Sequence, residues 1–300
     1  MTIQSDKQKG STCDVLILGG GSAGLTAGIY AAHAGAKTIL VENLAVGGQI
    51  NLTPDITNFP GFIEIGGAEL GEKMHAQAEH AGVQIIYDEI RKIDADKNTI
   101  EFNENTIQYK ALIIATGAAP RKLGIEREED FIGAGVHFCG LCDGTFFADK
   151  TVVVVGGGNH AVEEATYLSR IAKSVTIVNE LEKFTAKHDV VSKMPSTVRT
   201  IMGAKVKQIL GERKITGVVL SNETSVSCDG IFVAIGRVPN SADFRGIVDL
   251  AADGCIRVDA NMRTSRHNIF AAGDVTNKAV KQVITACADG AIAATFATKI

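Results

Sequence analysis

The sequence predicts an α/β protein of two similar domains, the second inserted into the first, and three observations carry that reading. Two stretches, residues 14–33 and 151–171, each run an apolar strand into a glycine turn and then a helix-like segment. Glycine is abundant, 32 residues against 5 prolines and no tryptophan, with 45% of the chain apolar, as suits many tight strand-to-helix turns. The 300 residues can fill two ordinary cores, and the stretch after residue 241 is too short for a third, so it is expected to fold back onto the first.

Asp14-Val-Leu-Ile-Leu18 is an apolar run of strand length, and Gly19-Gly-Gly21-Ser22-Ala23-Gly24 comes next, before the helix-like Leu25–His33. Gly19 permits the tight turn, Gly21 lets backbone approach a pyrophosphate, and Gly24 allows close helix–strand packing. The helix start offers its free N–H groups to the anion. Thr38-Ile-Leu-Val41 is the next strand and ends in Glu42, placed where an acid meets a ribose, so this unit reads as a Rossmann-like dinucleotide site. Gly47-Gly48-Gln49 through Asn58-Phe-Pro-Gly61 reads as loop, Ala68–Ala81 as helix, and 83–86, 98–102 and 111–115 as strands, the last closing on Thr116-Gly117.

Thr151-Val-Val-Val-Val155 opens the second unit with the continuous apolar pattern of a buried strand and runs into Gly156-Gly-Gly158-Asn-His-Ala161. Helix 162–171 and strand 174–178 repeat the order of the first unit, an internal duplication. Here the strand runs into Asn179-Glu180-Leu181, with no arginine for a 2′-phosphate, which Glu180 would repel. Further strands are expected at 205–210, 215–220, 230–234, 255–258 and 268–271, and a final helix at 282–298.

Between the two units in sequence lies Cys139-Gly-Leu-Cys142-Asp143-Gly144. Two thiols so spaced beside nucleotide-binding units read as a redox pair, whereas half of a zinc site would need two more ligands and the other four cysteines are scattered. No metal is expected. Asp143 is placed either as an acid/base for thiol–disulfide exchange or as a turn residue, and His137 either lowers a thiol pKa or is an ordinary strand histidine. The net charge of −4 argues against nucleic acid as a partner. A polar N-terminus at 1–12 and no run of eighteen apolar residues predict neither signal peptide nor membrane span, which places the chain in the cytoplasm.

Taken together, the motifs resemble those of the low-molecular-weight thioredoxin reductases, in the right order over nearly the whole chain. The resemblance rests on Gly19-x-Gly21-x-x-Gly24, Gly47-Gly-Gln49, Ala115-Thr-Gly117, the Cys139/Cys142 pair, Gly156-x-Gly158-x-x-Ala161 with Glu163-Glu164, Gly236-x-x-Pro-Asn240, and Ala272-Gly-Asp274 with Gln282. It implies FAD in a discontinuous first domain, 1–118 and 242–300, with the nicotinamide-type domain at 119–241 between, and a homodimer. Carried over by position, Gly19, Gly21, Ser22, Ala23, Gly24, Glu42, Gly48, Gln49, Asn58, Thr116, Gly117, Gly273, Asp274, Lys281, Gln282 and Val283 would bind FAD. The last helix would point its positive end at the flavin. Cys142 would exchange electrons with the flavin and Cys139 would attack the disulfide of thioredoxin or a similar dithiol protein, with Asp143 as acid/base.

Two departures stand out. Lys281 replaces the usual arginine, and the family's His-Arg-Arg-x-x-x-Arg segment reads Asn179-Glu180-Leu181 and Thr185, without any of its three arginines. NADPH is therefore expected to bind poorly. Three donor schemes remain: NADH held through Glu180, a protein donor as in the similar ferredoxin-dependent flavin thioredoxin reductases, or reversed flow as in dithiol oxidases acting on a small molecule. The expectation is ferredoxin, resting on the missing charge pairs; the inserted segment, with 15 basic and 14 acidic residues, suits an acidic donor, and His160 either hinders a nucleotide at the phosphate turn or is an exposed polar residue at a helix start.

Overall fold

The computed structural model describes residues 10–53 and 55–300; the polar N-terminus read above lies mostly outside them, at residues 1–9. The chain divides into two compact units, the first running up to Asn51 and then over Phe59–Ala119 and Val238–Ile300, the second over Leu52–Asn58 and Pro120–Arg237. Residues 52–58, read as part of the first domain, group with the second unit.

In the first unit β1 (Ser11–Leu18), α1 (Ser22–His33), β2 (Thr38–Glu42), α2 (Gly67–His80) and β3 (Gln84–Tyr87) form a β-α-β-α-β run. β4 (Ile90–Asp94), β5 (Thr99–Phe102) and β6 (Thr106–Ile114) complete the sheet, in the order β3-β2-β1-β6-β5-β4. β6 carries two burial patterns because it has two kinds of neighbour. Its first half alternates buried and exposed residues and pairs antiparallel with β5, whereas Ala111–Ile114 are all buried. β1 starts three residues earlier than its apolar run, because Ser11–Cys13 pair with Ile107–Tyr109 of β6, where Cys13 is buried among Ile107 and Tyr109.

The chain leaves by β7 (Ala118–Pro120) into the second unit. There come α3 (Glu128–Phe131), β8 (Val136–His137), α4 (Gly140–Asp143), β9 (Thr151–Val155), α5 (Asn159–Leu168), β10 (Ser174–Val178), α6 (His188–Val191) and β11 (Arg199–Ile201). An antiparallel sheet of β12 (Val206–Leu210), β13 (Gly217–Leu220) and β14 (Ser225–Ser227) precedes β15 (Gly230–Val233), and β16 (Arg237–Pro239) returns the chain. The parallel sheet β11-β10-β9-β15-β8 repeats the β3-β2-β1-β6 order of the first unit. Its central strand shows why four valines were needed. Val153 and Val155 pack with Val218, Leu220 and Val226 of the antiparallel sheet, while Val152 and Val154 pack with Ala161, Ala165 and Leu168 of α5.

Back in the first unit, β17 (Ile269–Ala271) pairs parallel with Leu112–Ile114 of β6, and α7 (Val283–Ala297) ends the chain. The strand expected at 255–258 does not form: Ile256 makes only isolated bridges, to Leu250 and Thr276. Among the described residues no helix is long and apolar enough to cross a membrane.

Candidate active site

The first glycine turn is built by exclusion of side chains. Gly19 sits at φ +103°, and a Cβ there would strike the carbonyl of Ala115; a Cβ on Gly24 would strike the carbonyl of Gly19 itself. Gly21 caps α1 from an extended conformation and bridges Gly47, and Gly48 lies beside it, so two backbone segments approach with nothing between them. Ser22 and Ala23 are buried in the first turn of α1, whose start holds no acidic residue. Glu42, buried at the end of β2, accepts from Gly20 N at 2.6 Å and from Leu44 N at 2.9 Å. Each oxygen keeps a lone pair for a further donor.

Gly273 (φ +78°) lies against Ala23, and its N–H donates to Asp289 Oδ2 at 3.0 Å. Asp289 is paired with Lys278 at 2.5 Å, and neither residue was singled out from sequence. The available signal was a lone acid in the otherwise uncharged α7. Lys281 Nζ donates to the carbonyl of Asp274 at 2.8 Å, which fixes that loop to the start of α7. Gln282 is the N-cap of α7, closed by a capping box with Thr285, and Val283 is its first residue. Thr116 and Gly117 are tied to Asn240 by bonds of 2.6, 2.8 and 2.9 Å. Gln49 is exposed in a 3-10 turn, and Asn58, also exposed, falls in the segment that groups with the second unit rather than with the other predicted FAD contacts.

The redox turn belongs to the second unit. Cys139 and Cys142 are joined in a disulfide, with Cα atoms 5.3 Å apart. Cys139 caps α4, and the N–H of Asp143 donates to its carbonyl at 3.0 Å. Asp143 is buried beside a buried His137, whose Nδ1 lies 2.8 Å from Asp143 Oδ2. Glu164 of α5, part of the sequence motif but without an assigned role there, accepts from Gly140 N inside the redox turn. Burial raises its carboxyl to about 7; the Gly140 hydrogen bond opposes that shift, and the charges of Asp143 and Glu163 add to it. Elsewhere burial pushes the thiols of Cys13 and Cys228 up to about 12, which leaves them poor nucleophiles.

At the second glycine turn, Gly156 (φ +140°) and the N-cap Gly158 repeat the first. The side chain over its middle glycine is Asn179, not an acid; it donates to the carbonyls of Leu181 and Lys183, both at 3.0 Å. Glu180 points elsewhere, exposed and 3.6 Å from Lys205.

The profile of the pyridine nucleotide-disulphide oxidoreductases matches residues 13–290. The chain belongs to that family. It is 41% identical over 297 residues to a "34.2 kDa protein in rubredoxin operon" of Clostridium pasteurianum, covering 95% of this chain and 96% of that one. It is 40% identical to the thioredoxin reductase of Peptoclostridium acidaminophilum, again over 95% and 96%. The crystal structure of thioredoxin reductase from Streptococcus pyogenes superposes with a TM-score of 0.89 at 37% identity, over 96% and 97% of the two chains. The protein is accordingly a flavin-dependent disulfide oxidoreductase of the thioredoxin reductase type, with two Rossmann-like domains and FAD as its cofactor. These relatives lend no support to the ferredoxin-dependent subtype expected from the sequence. The first unit fits the cofactor: a side-chain-free cradle at Gly19–Gly24 meets a helix start suited to a pyrophosphate, with Glu42 suited to a ribose.

Proposed function

We propose that the protein reduces the disulfide of thioredoxin or a similar dithiol protein through Cys139 and Cys142, with Asp143 carrying the proton. The observation that carries this reading is the Cys139–Cys142 disulfide, capped into a single helical turn with a buried carboxyl directly after it. The Gly19–Gly24 cradle, Glu42, Gly273–Asp274 and the start of α7 would hold FAD, which would supply the electron pair that reduces the disulfide. On reduction the Cys139–Cys142 bond breaks, with Cys142 as the thiol that exchanges electrons with the donor. The freed Cys139 thiolate then attacks the partner disulfide. The reading extends to a homodimer, testable by sedimentation.

For the donor, the case for ferredoxin rests chiefly on the missing arginines. The intact turn at Gly156–Gly158 and the family's pyridine nucleotide chemistry weigh the other way, so a nicotinamide nucleotide stands first. With Glu180, Leu181 and Thr185 in place of arginines, it is held without charge pairing to a 2′-phosphate, and NADH serves no worse than NADPH. Anaerobic flavin bleaching with NADPH, NADH and reduced ferredoxin, each with oxidised thioredoxin present, tests both halves. Bleaching by either nucleotide at similar, high half-saturation supports the reading. Tight, selective bleaching by NADPH overturns the NADH preference, and bleaching by ferredoxin alone restores a protein donor. Cys142→Ser retains FAD and loses thioredoxin reduction by at least about a thousandfold; oxygen uptake driven by a small dithiol, with thioredoxin inert, points to a dithiol oxidase instead.

A further inference from the structure

We propose that His137 is a positioning residue for Asp143, fixing which carboxyl oxygen is left to exchange a proton with the redox pair. The inference rests on the reading above, in which Asp143 carries that proton.

His137 sits on the two-residue edge strand β8, registered against Phe232 of β15. Its ring stacks on Phe232, with centroids 5.5 Å apart, and meets the edge of Phe147 at 5.1 Å. The side chain is 5% exposed. An imidazole in such an aromatic cage has little water to bond, and Nδ1 turns to Asp143 Oδ2 at 2.8 Å. An ionised carboxylate only accepts, so the Nδ1 proton lies in that contact. The torsion that spins a carboxyl group is otherwise broad, and one directed hydrogen bond is enough to set it.

The other oxygen gives the arrangement its sense. Asp143 Oδ1 is buried and has no hydrogen-bond partner among the described residues. A buried acceptor left unpaired is costly, and such a group calls for an explanation. Here it belongs to the residue directly after Cys142, on the same helical turn, with its N–H held by the Cys139 carbonyl. With Oδ2 engaged by His137, Oδ1 is the oxygen open to a thiol.

In the reduced pair, Cys139 is a thiolate and Cys142 a thiol. Cys139 attacks the partner disulfide, one new S–S bond forms, and the first released partner sulfur takes a proton from water. Cys142 gives its proton to Asp143 Oδ1 and attacks Cys139 Sγ. The bond to the partner breaks, and the second partner sulfur leaves with the proton from Asp143. Two electrons have passed to the partner, and the Cys139–Cys142 disulfide is restored.

The test is a single turnover: holoenzyme reduced anaerobically with dithionite, freed of excess, and mixed with oxidised thioredoxin, so that no physiological donor is needed. Asn places its amide N–H near the Nδ1 position and Gln near Nε2, so the two variants differ in geometry rather than polarity. His137→Gln is expected to slow the turnover about tenfold or more, and His137→Asn to stay within about threefold of wild type. Asp143→Asn slows it about a hundredfold, and adding H137Q to D143N slows it no further. Equal slowing by Asn and Gln, an additive double variant, or a normal rate in H137Q beside a slow D143N each overturns the positioning role alone. A normal rate in D143N overturns the assignment of Asp143 itself, and the inference with it. Flavin content and circular dichroism of each variant separate these outcomes from misfolding.

Discussion

At the end of β2 the side chain that reaches back over the glycine turn is a carboxylate, Glu42; at the end of β10 it is an amide, Asn179. Both follow a strand, a triple-glycine turn and a helix of one design. Glu42 takes two backbone N–H groups and still has lone pairs to offer a ligand. Asn179 uses both of its N–H donors on the carbonyls of Leu181 and Lys183, and Thr185 and Ala186 then donate backbone N–H groups to the carbonyl of Gly157. One turn keeps its polar capacity for a guest. The other uses much of it to order its own chain, which locates the sequence divergence between the units in the residue at the end of the second strand of one and just past it in the other.

The sharpest way to break this contrast is at the glycines. Gly24→Val pushes a side chain into the carbonyl of Gly19 and is expected to lower FAD affinity by at least a hundredfold, about 3 kcal/mol, read as colourless purified protein. The matching residue of the second turn is already Ala161. Gly158→Ala, whose Cβ would find only Thr185 Oγ1 at 3.8 Å, should keep its flavin.

Next in size is Glu164→Gln. Counting from the helix caps, Glu164 on α5 matches Ala27 on α1, so one helix turns a carboxyl toward its redox turn where the other brings its backbone against Gly290 of α7. Its folded pKa of about 7 lies above the ordinary 4.5, so between those values the folded protein holds a proton that the unfolded chain has lost. Stability is therefore greatest at the acid end of that window and falls as pH rises, by about 3 kcal/mol at most, levelling above pH 7. E164Q should flatten the slope in urea titrations at successive pH values.

Restoring arginines at Glu180, Leu181 and Thr185 should raise apparent NADPH affinity about tenfold for each charge-assisted hydrogen bond formed, with little change for NADH. A graft that improves both equally would show that the 2′-phosphate is not the group those positions meet. The smallest effect belongs to Glu180→Ala: its pairing with Lys205 joins two exposed side chains, and the urea midpoint should not move measurably.

Much of the fold was legible because glycine turns and apolar runs are local signals. Gly19 and Gly24 announce a close approach that any side chain would block, and Val152–Val155 announce a strand covered on both faces. The features that escaped were set by pairing across the chain. β4 and the start of β6 are rich in polar residues and exist through their ladders, while Ile256 has an apolar neighbourhood but no continuous partner strand. The site divided along the same line. Cys139, Cys142 and Asp143 are adjacent in sequence, so the motif was visible, whereas the contacts of Gly140 with Glu164 and of Gly273 with Asp289 span 24 and 16 residues. The meeting of His137 with Asp143 depends on a two-residue strand too short to leave a periodic signal.

The late arrival of β17 and α7 also sets an order of assembly. Apart from Leu52–Asn58, the second unit is one continuous stretch, complete once Arg237 has been made. The first unit must wait: β6 receives its second parallel neighbour from Ile269–Ala271, and α1 packs closely against Gly290 only when the last turns of the protein have been made. On the ribosome, the domain begun first is finished last. Until then it exposes the β6 edge at Leu112–Ile114 and an apolar face of α1, the surfaces that make a nascent chain a client for chaperones. Truncation within α7 should accordingly leave a folded second unit attached to an aggregation-prone first one.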